Sequence, residues 1–131
     1  VGLGLSAEPG ILEKMPASLS GGMRKRVALA RSIALKPDVI LYDEPTTGLD
    51  PPNCDRIARM IRHLQRELDV TSIVVTHDMD SCFTVTDRLA FLYNKRIAWV
   101  GPPEEARSAP IEILREFVKG GAGVLEDDLF I

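Results

Sequence analysis

Cysteine is scarce in this chain, and that scarcity excludes two classes at once. Cys54 and Cys82 stand alone, without CxxC or Cys/His spacing, so neither a zinc module nor a disulfide framework is expected. They read as ordinary thiols of a reducing compartment. No run approaches the roughly 18 consecutive apolar residues of a membrane helix, so any membrane work has to go through a partner. An excess of one charge is also missing. Sixteen basic residues face 19 acidic ones, a net of −3, which argues against a nucleic-acid binder that works through a broad phosphate-neutralising face. The local basic cluster is Arg24, Lys25, Arg26 and Arg31. There is no internal repeat and no low-complexity tract. The opening "VGLGLSAEPG" has neither a charged leader nor a long apolar core, so no signal peptide is expected, and a start at Val1 reads as a cut or processed end.

What is present suits a small globular piece, with 131 residues of which 45% are apolar. The pattern alternates helix and strand. "ASLSGGMRKRVALARSIALKPD" predicts a helix of about four turns, capped by Ser20 and closed by Pro37. "VILY", Val39 to Tyr42, is apolar at every position, as a strand buried on both faces of a parallel sheet should be. A second helix follows Asp50 as cap, with Pro51 in its first turn. Its apolar positions Cys54, Ile57, Ile61, Leu64 and Leu68 step by three and four, and Arg56, Arg59, Arg62 and Arg66 lie on the other face. "TSIVVTH", Thr71 to His77, reads as a second buried strand, and "DMDSCFTVTD" as a short helix behind it. Strand, helix, strand in this order implies a right-handed parallel crossover. "RLAFLY" and "RIAWV" flank Asn94 and Lys95, which predicts a two-residue hairpin at the sheet edge. "GPP" breaks the chain, Pro110 starts a last short helix, and residues 121–131 read as a loose tail.

Four places could carry chemistry. Ser20, Gly21 and Gly22 open a basic helix, where bare amides and a hydroxyl can approach a phosphate that the helix dipole also favours. The plain alternative is a capped helix after a flexible turn. Asp43 ends an apolar strand, where a carboxylate can support Mg²⁺ beside a nucleotide, and Glu44 would then orient the attacking water. Taken alone, such a pair is also what a solvated loop looks like. His77, at the end of the second strand, falls by the same rule near Asp43 and Glu44, although a lone strand-end histidine is as readily a structural donor. Asp50 is a helix cap with a possible further contact across a subunit interface.

The order and spacing of these pieces resemble the C-terminal half of an ABC transporter ATPase subunit, over residues 15 to 120. "LSGGM" looks like the family signature, "VILYDE" like Walker B with its glutamate, "GLD" like the D-loop, and His77 in "VVTHD" like the switch histidine. The resemblance implies a partial P-loop NTPase (ABC ATPase) fold, α/β, with a parallel sheet core, helices and a C-terminal antiparallel hairpin, filling residues 1–120 as one domain. It implies ATP and Mg²⁺ as cofactors. Ser20, Gly21 and Gly22 would bind the γ-phosphate of ATP held by the opposite subunit of a head-to-tail homodimer. Asp43 would support Mg²⁺, Glu44 would act on the hydrolytic water, Asp50 would couple the two sites, and His77 would sense the γ-phosphate. The fifth signature position is Met23, where the family most often has Gln. Integral membrane permease subunits are the other implied partners, which places the protein peripherally on the cytoplasmic face of the inner membrane.

"LSGGMRKRVALARSIAL" followed by "LYDEPTTGLDP" is similar to ATPases of Mla/Mce-type phospholipid and lipid transport systems. An importer ATPase for another solute, such as amino acids, is the alternative. A Gly-rich phosphate loop, GxxxxGK[ST], does not occur in the sequence. The resemblance therefore implies a chain that is inactive by itself and exposes apolar strand edges. A non-catalytic interaction module is a further reading. A chromosome-maintenance ATPase would call for a heptad-patterned coiled coil, and none is present.

Overall fold

The computed structural model describes Gly10 and residues 13–120, which leaves the expected tail at 121–131 outside the described residues. The chain divides into two compact units, Val1–Thr76 and His77–Ile131.

In the first unit, helix α1 (Gly21–Ile33) begins where expected. The Ser20 hydroxyl oxygen accepts from the Met23 amide at 3.2 Å, satisfying one of the first-turn donors that have no partner within a helix. Met23 and Leu29 are its buried residues, and Met23 forms a small cluster with Leu19 and Val27. The helix ends a turn short of Pro37, at Ala34. Lys36, at φ 49°, turns the chain out with its amide on the Ile33 carbonyl.

Strand β1 (Val39–Asp43) pairs parallel and in step with β2 (Thr71–Val75), Leu41 opposite Ile73 and Asp43 opposite Val75. Helix α2 (Pro51–Leu68) joins them and buries Ile57, Ala58, Ile61 and Leu64, as β1 buries Ile40 and Tyr42. Its C-terminus closes on Asp69, left-handed at φ 51°, in the place glycine usually takes. Burial pushes the Tyr42 phenol up, with the Ser72 hydroxyl opposing.

Neither strand is buried on both faces, which corrects the reading of "VILY" and "TSIVVTH". Ile40 and Tyr42 point inward, while Leu41 is 73% exposed and Val75 60% exposed. The sheet has two strands among the described residues, and Val39, Leu41, Ile73 and Val75 share a face that no described residue of this unit covers. The second strand also ends at Val75, two residues before His77.

The second unit holds helix α3 (Met79–Val85), capped by the Asp78 carboxylate on the Ser81 amide, and strands β3 (Leu89–Tyr93) and β4 (Arg96–Gly101). Asn94 and Lys95 both have positive φ, 49° and 61°, as a two-residue turn that follows the strand twist requires. The pairing skips one residue on β4 between Trp99 and Ile97, a bulge at Ala98. The hairpin is a two-stranded sheet of its own rather than the edge of the parallel sheet.

From the last proline of "GPP" the chain forms a 3-10 helix, Pro103–Ser108, rather than a simple break. Helix α4 (Glu112–Val118) starts two residues beyond Pro110. Leu89, Phe91, Ala106, Ala109 and Leu114 close a compact core, with Phe117 against Phe91. No described helix is long and apolar enough to cross a membrane.

Candidate nucleotide site

Ser20, Gly21 and Gly22 form the first turn of α1. The serine is exposed, and because its oxygen accepts from Met23, its O–H remains chemically able to donate outward. A Cβ on Gly21 would meet Leu49 at 3.3 Å, and one on Gly22 would meet Asn53 at 3.5 Å. A side chain at 21 would thus press on Leu49, in the loop between β1 and α2, by a few tenths of an ångström.

That loop carries the two acids. Asp43 is exposed at the carboxyl end of β1, on the uncovered face. Glu44 follows at φ 44°, a left-handed conformation that costs a non-glycine residue about 1–2 kcal/mol. Residues before proline, as Glu44 is, ordinarily lie in the extended region. The cost is offset by a dense set of bonds. The Glu44 amide donates to the Val75 carbonyl at 2.9 Å, and its carbonyl accepts from Lys25 Nζ at 3.0 Å. Its carboxylate Oε2 accepts from the Thr47 hydroxyl at 2.9 Å and from the Thr76 hydroxyl at 3.4 Å. The loop behind it is held by buried Thr46 and by the Cys54 thiol, which lies 3.5 Å from the carbonyls of Thr46 and Leu49. Gly48 turns at φ 78°.

Asp50 precedes α2, but its carboxylate does not cap the backbone as expected. It accepts from the Asn53 side-chain amide at 2.6 Å instead. That bond, more than any other cause, holds the exposed Asp50 carboxyl below its ordinary value. His77 is exposed and is the first residue of the second unit. Ser20, Gly21, Gly22, Asp43, Glu44 and Asp50 all belong to the first unit, and His77, next to the Thr76 that bonds Glu44, begins the second.

A family model for ABC transporters matches residues 2–47. The Fe(3+) ions import ATP-binding protein FbpC 1 of Rhizobium meliloti is 40% identical over 128 residues, covering 98% of this chain and 36% of that protein. The probable ribonucleotide transport ATP-binding protein mkl of Mycobacterium leprae is 38% identical over 120 residues, 92% of this chain and 33% of that one. Among solved structures, the ATP-binding cassette MJ0796, dimeric in a post-hydrolysis state with ADP and Pi bound, aligns with a TM-score of 0.65 and 31% identity over 77% of this chain and 44% of its own. The fold is that of ABC ATPase cassettes. The chain spans about a third of the length of the curated relatives it matches.

Against that ABC frame, the donor set can be tested for Mg²⁺. Among the described residues no group of three or more His, Cys, Asp or Glu could hold a metal. A lone exposed carboxylate such as Asp43 fits Mg²⁺ in the manner of nucleotide sites, where one or two carboxylates suffice and phosphate and water complete the shell. The cleft between α1, β1 and α2, lined by Lys25, Ser32 and Asp43 among others, has a volume of about 210 Å³. That is below the ~300 Å³ of typical small-molecule pockets. Sequence reasoning missed Lys25, Thr47 and Thr76 as partners of Glu44, and Asn53 as partner of Asp50. Thr47 and Asn53, each three residues after the acid it touches, carried a local signal. Lys25, 19 residues away from Glu44, and Thr76, 32 away, carried none.

Proposed function

We propose that the chain is the part of an ABC transporter ATPase that supplies the hydrolytic carboxylate to one ATP and the signature turn to another. The observation that supports this most directly is Glu44, held in an unfavourable backbone conformation at the carboxyl end of β1 with two threonine hydroxyls fixing its carboxylate. Phosphoryl transfer asks little covalent chemistry of a protein. It asks for a positioned water and for positive or dipolar partners to the phosphate oxygens. In this reading Glu44 accepts a proton-bearing contact from the attacking water and aims its lone pair at the γ-phosphorus. Asp43 helps hold Mg²⁺, which when bound neutralises phosphate charge. The Ser20 hydroxyl and the amides of Gly21 and Gly22 donate to the γ-phosphate of an ATP held by a second copy in a head-to-tail homodimer. Asp50 lies where the two sites of such a dimer meet, and His77 hydrogen-bonds the γ-phosphate.

Integral membrane permeases would complete the assembly, with the ATPase peripheral on the cytoplasmic face of the inner membrane. The cargo we propose is phospholipid or another lipid, on the wording of the signature and Walker B segments. Import of a small solute is the second reading, and the relatives named for iron and ribonucleotide transport favour it. In both, the ATPase chemistry is the same.

The test is Glu44→Gln in the full-length protein, assayed for ATP binding and for phosphate release. Binding is expected to persist while turnover falls at least ~100-fold, the scale of losing a group that acts on the reacting water. The 131-residue chain alone, which lacks a GxxxxGK[ST] segment, is the expected inactive control. Undiminished turnover in Glu44→Gln would remove Glu44 from its role.

A further inference from the structure

Three residues on one side of α1 face the acid-bearing loop and the first turn of α2. Gly21 and Gly22 leave room for Leu49 and Asn53, and Lys25, one turn further on, reaches the Glu44 carbonyl at 3.0 Å. On a helix, positions 21, 22 and 25 fall on a single stripe, since residues three and four apart are neighbours. The phosphate-binding turn and Lys25 therefore move together with α1. Glu44, for its part, sits at φ 44° immediately before Pro45, a conformation that persists only where its surroundings impose it. The Val75 carbonyl and the two threonines restrain it from the sheet and from its own loop. Lys25 restrains it from α1.

Given the ATPase reading above, on which this rests, we propose that Lys25 is a positioning residue for hydrolysis. Its ammonium clamps the Glu44 carbonyl, and so makes the orientation of the hydrolytic carboxylate depend on where α1 stands. In a head-to-tail dimer the first turn of α1 and the Glu44 carboxylate of one chain serve different ATP molecules. The clamp is then a direct mechanical link between the two sites. A lysine–carbonyl bond is charge-assisted but makes no contact with nucleotide, so its loss should change the chemical step rather than binding.

The experiment uses the full-length protein with Lys25→Met, which keeps most of the side-chain length and apolar stem but loses the donor, and Lys25→Arg, which restores a donor. Three quantities are read: kcat, KM for ATP, and amide hydrogen exchange across residues 44–49. Lys25→Met is expected to lower kcat about tenfold, the scale of one hydrogen bond to a charged group. KM should stay within about twofold, with exchange in the 44–49 loop accelerated about tenfold, since uniform binding is untouched. Lys25→Arg should recover most of both. Wild-type kcat and unchanged loop exchange in Lys25→Met would overturn the clamp while leaving the ATPase reading intact. A loss of kcat with no change in loop exchange, or one that Lys25→Arg does not rescue, would also overturn it. A wild-type protein that binds ATP but never hydrolyses it would overturn the ATPase reading, and the role of Lys25 in turnover with it.

Discussion

The two units of the molecule each bury a core and leave one strand face open, but they pair their strands in different ways. The second, from His77 onward, folds a hairpin, a 3-10 helix and two short helices around Leu89, Phe91, Ala106, Ala109 and Leu114, and Leu114 is 0% exposed. The first buries one face of its parallel pair under helices and leaves Val39, Leu41, Ile73 and Val75 in the open. The same first unit carries the turn of Ser20 to Gly22, the two acids and Asp50. Chemistry thus coincides with the parallel pair, whereas the antiparallel unit, which likewise leaves Leu92, Ile97 and Val100 exposed, carries neither the signature turn nor the two acids. The difference follows from topology. An antiparallel hairpin needs two turn residues to complete its pairing, while a parallel strand depends on segments distant in the chain for both neighbours and cover.

Substitutions can break or sharpen that contrast. The largest effect on stability is expected for Leu114→Ala, which opens a cavity in a closed core. Urea unfolding should lose about 2–5 kcal/mol, and a loss below 1 kcal/mol would mean that the second unit is not tightly packed. Leu41→Thr, on the uncovered face of β1, should change the unfolding free energy of the 131-residue chain by no more than about 0.5 kcal/mol. It should also reduce self-association, measurable by light scattering, because it shrinks an exposed apolar patch. A loss approaching that of Leu114→Ala would show Leu41 to be covered.

The smallest effect concerns Asp50. Its carboxyl titrates below the ordinary value chiefly because Asn53 donates to it. A carboxyl depressed in the folded state favours folding above its unfolded value, and that contribution is lost as pH falls through the folded one. Asn53→Ala should therefore move the Asp50 titration, followed by NMR, upward toward the ordinary carboxylate range. An unmoved titration would assign the depression to another neighbour.

What could be read in the residues was mostly what neighbours in sequence decide. Ser20 as cap, Pro51 opening α2 and the Asn94-Lys95 turn are short-range events, and each appears in the fold. The 3-10 helix at Pro103–Ser108 was legible only as punctuation, because three prolines within nine residues hide any periodicity. The uniform apolarity of "VILY" was misleading. It records that a strand can be buried on both faces, and the alternation of Ile40 and Tyr42 in with Val39 and Leu41 out is set by what else packs there. Likewise the acids could be placed at the strand end by pattern, but not the left-handed turn at Glu44 or the lysine that reaches it, since those depend on α1 approaching the loop in three dimensions.

The in-step pairing of β1 with β2 has one last consequence. Asp43 lies opposite Val75, and the next amide, that of Glu44, completes the row on the Val75 carbonyl. Sliding β1 by one position would turn Ile40 and Tyr42 outward and would also take away the acceptor that fixes the acid. A misassembled sheet is therefore a dead site as well as an unstable one. The fold proofreads its own chemistry, because no copy can hold the acid correctly without first having counted its strands correctly.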